Sequence, residues 1–543
     1  TASGKPLLAN DTHLGIQMPS IWYEVGLHCT PVGPDCPFNV VGFSFAGVPA
    51  VIIGHNDRIG WGVTNLGPDV QDLFIERLNP ENPNQYEYQD RWLDMEVIRE
   101  EIQVAGRDEP EVVFVHVTRH GPIINDILGG IEEDWSFGWQ PLSFSWTALE
   151  PGTLLKSVLM INQSQDWDEF RNALSFWDVP SQNFVYADVD GNIGYQTPGR
   201  IPIRAAGNGT MPSPGWTGTH EWLGYIPFEE LPSAFNPPSG YIATANNAVI
   251  GDDYPYFISA DWAPGYRARR ITEMIESREN ITVEDIQAMH GDSVVTYALD
   301  VLPYILSAQP SDPVHAELLD LLRSWDGRAQ RDSVPTTIFE SLRFHLITRV
   351  YGDELGEQLL ARSRSDLQIA LNNILPTPDS KWFDDIYTEE VETREQIVLL
   401  ALEDTVEELT ETLGKNIDQW TWGKLHTATF ENQSLGQSGI GFIEWLLNRG
   451  PVAVDGSAGA VNNTAHSLSE PYTVTSVPSQ RQILDFQYFE QSLSMHTTGQ
   501  SGHPFHPHYA DMIDPWRNIE YHPMLWTRGQ VEAAAEDTLI LTP

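Results

Sequence analysis

The sequence predicts an α+β chain in which a helical segment interrupts a β-rich body. Three observations carry this: hairpin signals dominate residues 1–270, the apolar period turns helical over residues 271–420, and a mixed stretch rich in Trp, Gly and Pro fills residues 421–543. At 543 residues and 41% apolar content the chain can bury a large core, and its length corresponds to roughly three to four domains of ordinary size.

The elements follow in order. Val51-Ile52-Ile53-Gly54 and Ile59-Gly60-Trp61-Gly62 flank the polar His55-Asn56-Asp57, which predicts a hairpin. A second hairpin joins Phe184-Val185-Tyr186-Ala187-Asp188-Val189 to Asn192-Ile193-Gly194-Tyr195 across Asp190-Gly191, a pair that tolerates the positive φ of a tight turn. Thr282 with Asp285 three residues on marks a helix start, because a hydroxyl and a carboxylate can satisfy free N–H groups ahead of Ile286 and Met289. Leu399, Leu402, Val406, Leu409 and Leu413 share one helical face, with Glu403, Glu407, Glu408 and Glu411 on others and Gly414 placed to end the helix. That stripe reads as core packing. Tyr472-Thr473-Val474-Thr475-Ser476-Val477 reads as a strand, and no internal repeat or low-complexity tract is present.

Acidic residues outnumber basic ones 76 to 30, for a formal charge of -46. Such a field repels phosphate backbones and excludes nucleic-acid binding. It suits a solubilising surface, a high-salt habitat in which counterions screen self-repulsion, or a calcium-rich exterior compartment. No run approaches the roughly 18 apolar residues needed to cross a bilayer. The start, Thr1-Ala2-Ser3-Gly4-Lys5-Pro6, has neither a basic nor an apolar leader region, so the expectation is a soluble chain that is processed or cut short. Cys29 and Cys36 bracket a loop with Gly33, Pro31 and Pro34 that could close a local disulfide; as a zinc pair they would need further ligands, and none is evident nearby.

Two segments carry the chemistry: Trp61-Gly62-Val63-Thr64-Asn65-Leu66-Gly67-Pro68-Asp69-Val70-Gln71-Asp72 and Gly240-Tyr241-Ile242-Ala243-Thr244-Ala245-Asn246-Asn247. They recur in order with Gly4-Lys5-Pro6-Leu7-Leu8-Ala9-Asn10-Asp11-Thr12-His13-Leu14, Gly54-His55-Asn56, Arg270-Ile271 and Gly499-Gln500-Ser501-Gly502-His503-Pro504. In that order the segments resemble the penicillin acylase family of N-terminal-nucleophile hydrolases, which includes penicillin, cephalosporin and acyl-homoserine-lactone acylases. The resemblance implies a four-layer αββα sandwich with strands drawn from both ends of the chain and a helical insertion between.

It also implies roles. In this family a serine opening the catalytic chain attacks the amide carbonyl, and its own α-amine, with a near-neutral pKa, serves as base. Asn246 matches the asparagine whose side-chain N–H meets the tetrahedral oxyanion; without the family context the Asn246-Asn247 pair would read as a turn. Asn65 matches the residue whose backbone N–H completes that hole, and His13 a position that holds the serine hydroxyl and amine by hydrogen bonding. Arg270 matches an arginine that orients the oxyanion asparagine, with Arg267 as the fallback, although either could merely pair with surface carboxylates. Leu14, Ile53, Val63, Trp146 and Gln182 match acyl-pocket positions, whose mostly aliphatic character implies an aliphatic or mixed acyl chain. Asp69, Asp72 and the carbonyl of Gln71 match a structural calcium site, to which Asp253 or Asp261 could contribute.

One element of the family is missing. The serine followed by Asn and Trp does not stand at residue 1, and the segment around Gly4-Lys5-Pro6 matches a region roughly ten residues downstream of it, so neither Thr1 nor Ser3 is expected to replace it. The expectation is a truncated catalytic subunit, inert alone, whose precursor supplies the nucleophile and a smaller α-subunit. The whole protein would hydrolyse a small-molecule N-acyl amide through a seryl acyl-enzyme, in the periplasm or outside the cell, with no organic cofactor. Two rivals stand beside this reading: a secreted, calcium-stabilised binding or structural protein that lost catalysis, and a metallohydrolase using His503, His506 and His508.

Overall fold

Two antiparallel sheets lie face to face. The computed structural model describes residues 1–127, 140–467 and 471–542. The larger sheet has seven strands in the order Ser233–Phe235, Ile193–Gln196, Gln182–Asp188, Ile59–Asn65, Ile53–Asn56, Asn39–Phe45 and Trp22–His28. The smaller has four, in the order Leu7–Asn10, Gln480–Asp485, Leu493–His496 and His522–Pro523, and so joins the two ends of the chain. Helices Leu154–Gln163 and Trp167–Leu174 cover the outer face of the seven-stranded sheet, and Val283–His290 lies against Gln480–Asp485 on the far side. The stacking is αββα.

The strand Ile59–Asn65 shows why the sheets approach so closely. Alternate residues face opposite sides of a strand. Ile59, Trp61 and Val63 contribute to the core shared with Phe170, Leu174 and Phe184. Gly60 and Gly62 point the other way, where a Cβ on Gly60 would stand 2.7 Å from Leu484 and one on Gly62 2.8 Å from Asn10. Into the space they leave, Asn10 inserts a carboxamide that mimics a peptide: its Nδ2 donates to the Val63 carbonyl (2.8 Å) and its Oδ1 accepts from the Val63 N–H (3.2 Å). Gln482 Nε2 donates to the Trp61 carbonyl at 2.9 Å. Polar side chains thus stitch one sheet to the backbone of the other, which keeps buried amides paired.

Both expected hairpins form: Ile53–Asn56 pairs with Ile59–Asn65, and Tyr186 stands opposite Gly194 in the second. Thr282 and Asp285 make a reciprocal capping box at the start of Val283–His290. The Arg394–Leu413 helix buries Leu402 and Leu409 in a separate helical core with Leu318, Leu342, Trp420 and Trp422, and ends at Gly414, whose φ is 88°. The run of helices begins at Tyr266–Glu276, a few residues before the expected change at 271, and two helices, Leu154–Gln163 and Trp167–Leu174, already stand within the stretch read as β-rich. Val334–Ile374 is two helical stretches broken at Gly356 (φ 69°). The strand expected from Tyr472 runs instead over Val474–Pro478, because Tyr472 takes a left-handed backbone (φ 76°) and turns its hydroxyl onto Glu408. Cys29 and Cys36 are disulfide-bonded, with Cα atoms 5.7 Å apart.

Two predictions follow from this packing. Gly62→Ala drives a methyl into Asn10 and breaks the sheet-to-sheet stitch, so it should lower stability by about 1–3 kcal/mol, the usual range for overpacking, read as a lower urea midpoint. Burial also pushes the histidine rings of His55, His466 and His496 down to about 4 and that of His426 to about 3, from an unfolded value of 6.5. Below 6.5 the unfolded chain binds protons that the folded chain refuses until about 4 or below, so acid favours unfolding. The stability these rings contribute is complete above pH 6.5 and falls as the pH is lowered from there toward 4. Urea unfolding across that window, in high salt to screen the acidic surface, should show a falling midpoint; a flat one overturns the assignment.

Candidate active site

Asn246 is where the polar contacts converge. Its backbone is left-handed (φ 63°), a conformation asparagine tolerates better than most residues and one that clusters at functional sites. Its Nδ2 donates to the Asn65 carbonyl at 2.8 Å, and Asn183 Nδ2 donates to the same carbonyl at 3.1 Å. Asn65 ends the central strand, so the two expected oxyanion residues are neighbours. They meet through the Asn65 carbonyl, whereas the expectation concerned its N–H. Behind them, Thr64 and Thr244 share a hydroxyl hydrogen bond of 2.9 Å.

Arg267 fixes the other end of the asparagine, donating from Nη2 to Asn246 Oδ1 at 2.8 Å. This corrects the expectation for Arg270, which faces away and forms a two-pronged pair with Asp292 through Nε (2.9 Å) and Nη2 (2.8 Å). Both lie on the Tyr266–Glu276 helix, one turn apart, yet Arg267 reaches Asn246 while Arg270 is drawn to the carboxylate of Asp292. Arg267 Nη1 also lies 3.4 Å from His13 Nδ1, as does Asn463 Nδ2, while His13 Nε2 lies 3.4 Å from Asp11 Oδ2. With two donors facing Nδ1, the network assigns the ring proton to Nε2, toward Asp11. Burial drives the Asp11 carboxyl upward, but the His13 hydrogen bond and the charges of His290, His13 and Arg481 outweigh it and hold it below the ordinary carboxylate range. Burial pulls Arg267 down and Asp11 opposes this. The result is a relay of contacts, Asp11 to His13 to Arg267 to Asn246 to Asn65.

A cavity of about 510 Å³ adjoins this relay. Six consecutive residues, 6–11, line it, and Leu7–Asn10 is the edge strand of its sheet, so the cavity runs along an open strand edge. Tyr241, Thr244, Met289 and His290 line it as well. Thr1 lies at the cavity too, its hydroxyl donating to the Lys5 carbonyl. Of the expected acyl-pocket residues, Leu14 directly follows His13, and Gln182 stands opposite Asn65 in the sheet. Ile53 is fully buried and Val63 nearly so, both in the core, which leaves them no wall to offer. Trp146 lines a different cavity of about 280 Å³, with Phe74, His120 and Trp222.

The acids expected to hold calcium are close together but already partnered. Arg204 donates from Nε to Asp72 Oδ2 (2.9 Å), and from Nη2 to Asp72 Oδ1 (2.8 Å), the Asp69 carbonyl (3.1 Å) and Asp69 Oδ1 (3.2 Å). Trp222 Nε1 donates to Asp72 Oδ2 at 2.6 Å. Gln71 sits in the Gln71–Ile75 strand, exposed; Asp253 and Asp261 are exposed as well. A hard cation needs several oxygens turned toward one point at 2.3–2.6 Å. Here a guanidinium stands among them, so the residues do not fit calcium. The C-terminal histidines also fail to converge: His508 is held by Asp511 (2.6 Å) and Glu536 (3.0 Å), and His506 accepts the His508 backbone N–H. Among the described residues no group of three His, Cys, Asp or Glu side chains is placed to hold a metal.

Residues 1–533 match the model of the penicillin amidase family. The chain is 28% identical over 563 residues to the acyl-homoserine lactone acylase QuiP of Pseudomonas aeruginosa, covering 96% of this chain and 64% of that protein. It is 29% identical over 554 residues to the penicillin acylase 2 proenzyme of Pseudomonas sp. (strain SE83), covering all of this chain and 68% of that one. Among solved structures, the thermostable penicillin G acylase from Alcaligenes faecalis superposes with a TM-score of 0.74 at 22% identity over 99% of this chain and 96% of that one. The two share the N-terminal-nucleophile hydrolase fold. The chain thus spans under two-thirds of the length of the first relative.

Arg270→Ala strands the buried Asp292 carboxylate and should destabilise the fold by about 1–3 kcal/mol in urea unfolding. It should leave the environment of Asn246 unchanged, which the side-chain amide resonances of that residue would report.

Proposed function

We propose, from the premise that this chain belongs to the penicillin amidase family, that it forms the catalytic body of an acylase hydrolysing the linear amide of an acylated amine. The observation that carries this reading is the clamp on Asn246, whose carboxamide oxygen is held by Arg267 and whose nitrogen sits 2.8 Å from the end of the central strand. An amide nitrogen carries two hydrogens, so one N–H remains for a substrate oxygen. A donor pre-aimed in this way stabilises charge that develops only as the carbonyl becomes tetrahedral.

The reacting hydroxyl in this proposal belongs to a serine upstream of Thr1. The open edge of Leu7–Asn10 and the cavity beside it support a slot for one more strand, entering antiparallel through the turn at residues 1–5 and ending next to Asn65 and Asn246. The serine oxygen attacks the amide carbon and its proton passes to the serine's own α-amine. The oxyanion rests on Asn246; collapse expels the amine, which takes that proton, and water then hydrolyses the ester. His13, fixed between Asp11 and Arg267, orients the amine and hydroxyl. Leu14 and Gln182 flank the acyl group. The smaller chain of the precursor completes the enzyme, and the Cys29–Cys36 disulfide favours a compartment outside the cytoplasm. No helix among the described residues is long and apolar enough to cross a membrane.

The test is to extend the chain upstream through its native reading frame and measure hydrolysis of acyl-homoserine lactones and penicillins beside residues 1–543 alone. The extended protein should turn over, the shorter should not, and Asn246→Ala should lower kcat by about 10²–10³-fold. Arg267→Ala should lower kcat as well, with partial recovery in Arg267→Lys. Turnover by residues 1–543 that is lost on Thr1→Ala would refute the upstream serine. An extended protein without turnover would favour the non-catalytic scaffold.

A further inference from the structure

The structure assigns to Arg204 the place that a divalent cation would take beside the oxyanion strand: we infer that this chain carries its structural cation covalently and binds no calcium there. The inference goes beyond the acylase reading and rests on geometry alone. Arg204 closes the short strand Pro202–Arg204, and its side chain is 5% exposed. Five N–H to oxygen contacts of 2.8–3.2 Å reach both carboxylates and one carbonyl of residues 69–72, where the segment leaving Asn65 enters the next strand.

Three features make this a filled site. A guanidinium stays protonated in proteins, so its charge cannot be shed to admit a metal. Its fork matches the Asp72 carboxylate at two points, the geometry in which an arginine–carboxylate pair is strongest. The backbone closes over the pair as well: Gly209 has φ +82°, and a Cβ there would lie 2.2 Å from Asp72 Oδ1 and 2.7 Å from Arg204 Nη2. Trp222 adds a second donor to Asp72 Oδ2, and the Asp69 N–H is tied to the Ile258 carbonyl at 2.7 Å. Neither the space nor the lone pairs of a six- to eight-oxygen shell are left over. The guanidinium takes over from a calcium ion the pinning of the segment that follows Asn65, and offsets one of the two carboxylate charges.

The test uses the full chain at high ionic strength, so that calcium held diffusely by the acidic surface is displaced. Metal analysis after dialysis should find far less than one calcium per chain. The thermal midpoint should not move with chelator or with added calcium chloride. Arg204→Ala should lower that midpoint by several degrees. Stoichiometric calcium on the unaltered chain together with a midpoint drop in chelator would overturn the inference, and so would an Arg204→Ala chain as stable as the parent. If that variant does not fold, the calcium and chelator measurements on the unaltered chain decide.

Discussion

Everything near the candidate site depends on how closely the two sheets can approach at the Ile59–Asn65 strand. With Gly60 and Gly62 facing inward, Asn10 and Gln482 reach the strand's backbone and fix its position to within a hydrogen bond. Asn65 is the last residue of that strand, so its placement follows from the packing of residues far from any chemistry. Rigid elements hold a site more precisely than loops can, and here the rigid element is a strand buried from Ile59 to Val63.

Three arginines divide the electrostatic work of an otherwise acidic chain. Arg267 orients a neutral amide, Arg270 neutralises the buried Asp292, and Arg204 gathers two carboxylates with a carbonyl. Each is at least partly buried, where charge-assisted hydrogen bonds gain most from the low dielectric and an unpaired partner is most unfavourable. The contrast between Arg267 and Arg270 is instructive because they sit one helical turn apart yet serve a site and a scaffold respectively.

Much of this was legible in the residues, and the failures have physical causes. The hairpins and the capping box are local events, written in turn residues and short spacings, and they form as the sequence predicts. The paired Asn65 and Asn246 could be found because each matches a position within a segment that resembles the family's. The choice between Arg267 and Arg270 could not, since it turns on the azimuth of a helix whose neighbours are remote in sequence. Arg204, Asn183 and Asn463 carried no signal for the same reason: each acts on a partner more than a hundred residues away. Ile53 and Val63 look like pocket walls in one dimension and are core in three.

The recessed edge of Leu7–Asn10 has a consequence for how molecules of this protein meet one another. An unpaired strand on the outer rim of a sheet is a template on which a neighbour's strand can add, and repetition of that event builds ribbons. Here the open edge faces a cavity whose lining includes Tyr241, Thr244, Ile286 and Met289. A strand from a second globule would therefore have to fit among these side chains before it could pair. The lining thereby guards the strand against the aggregation that a bare edge invites.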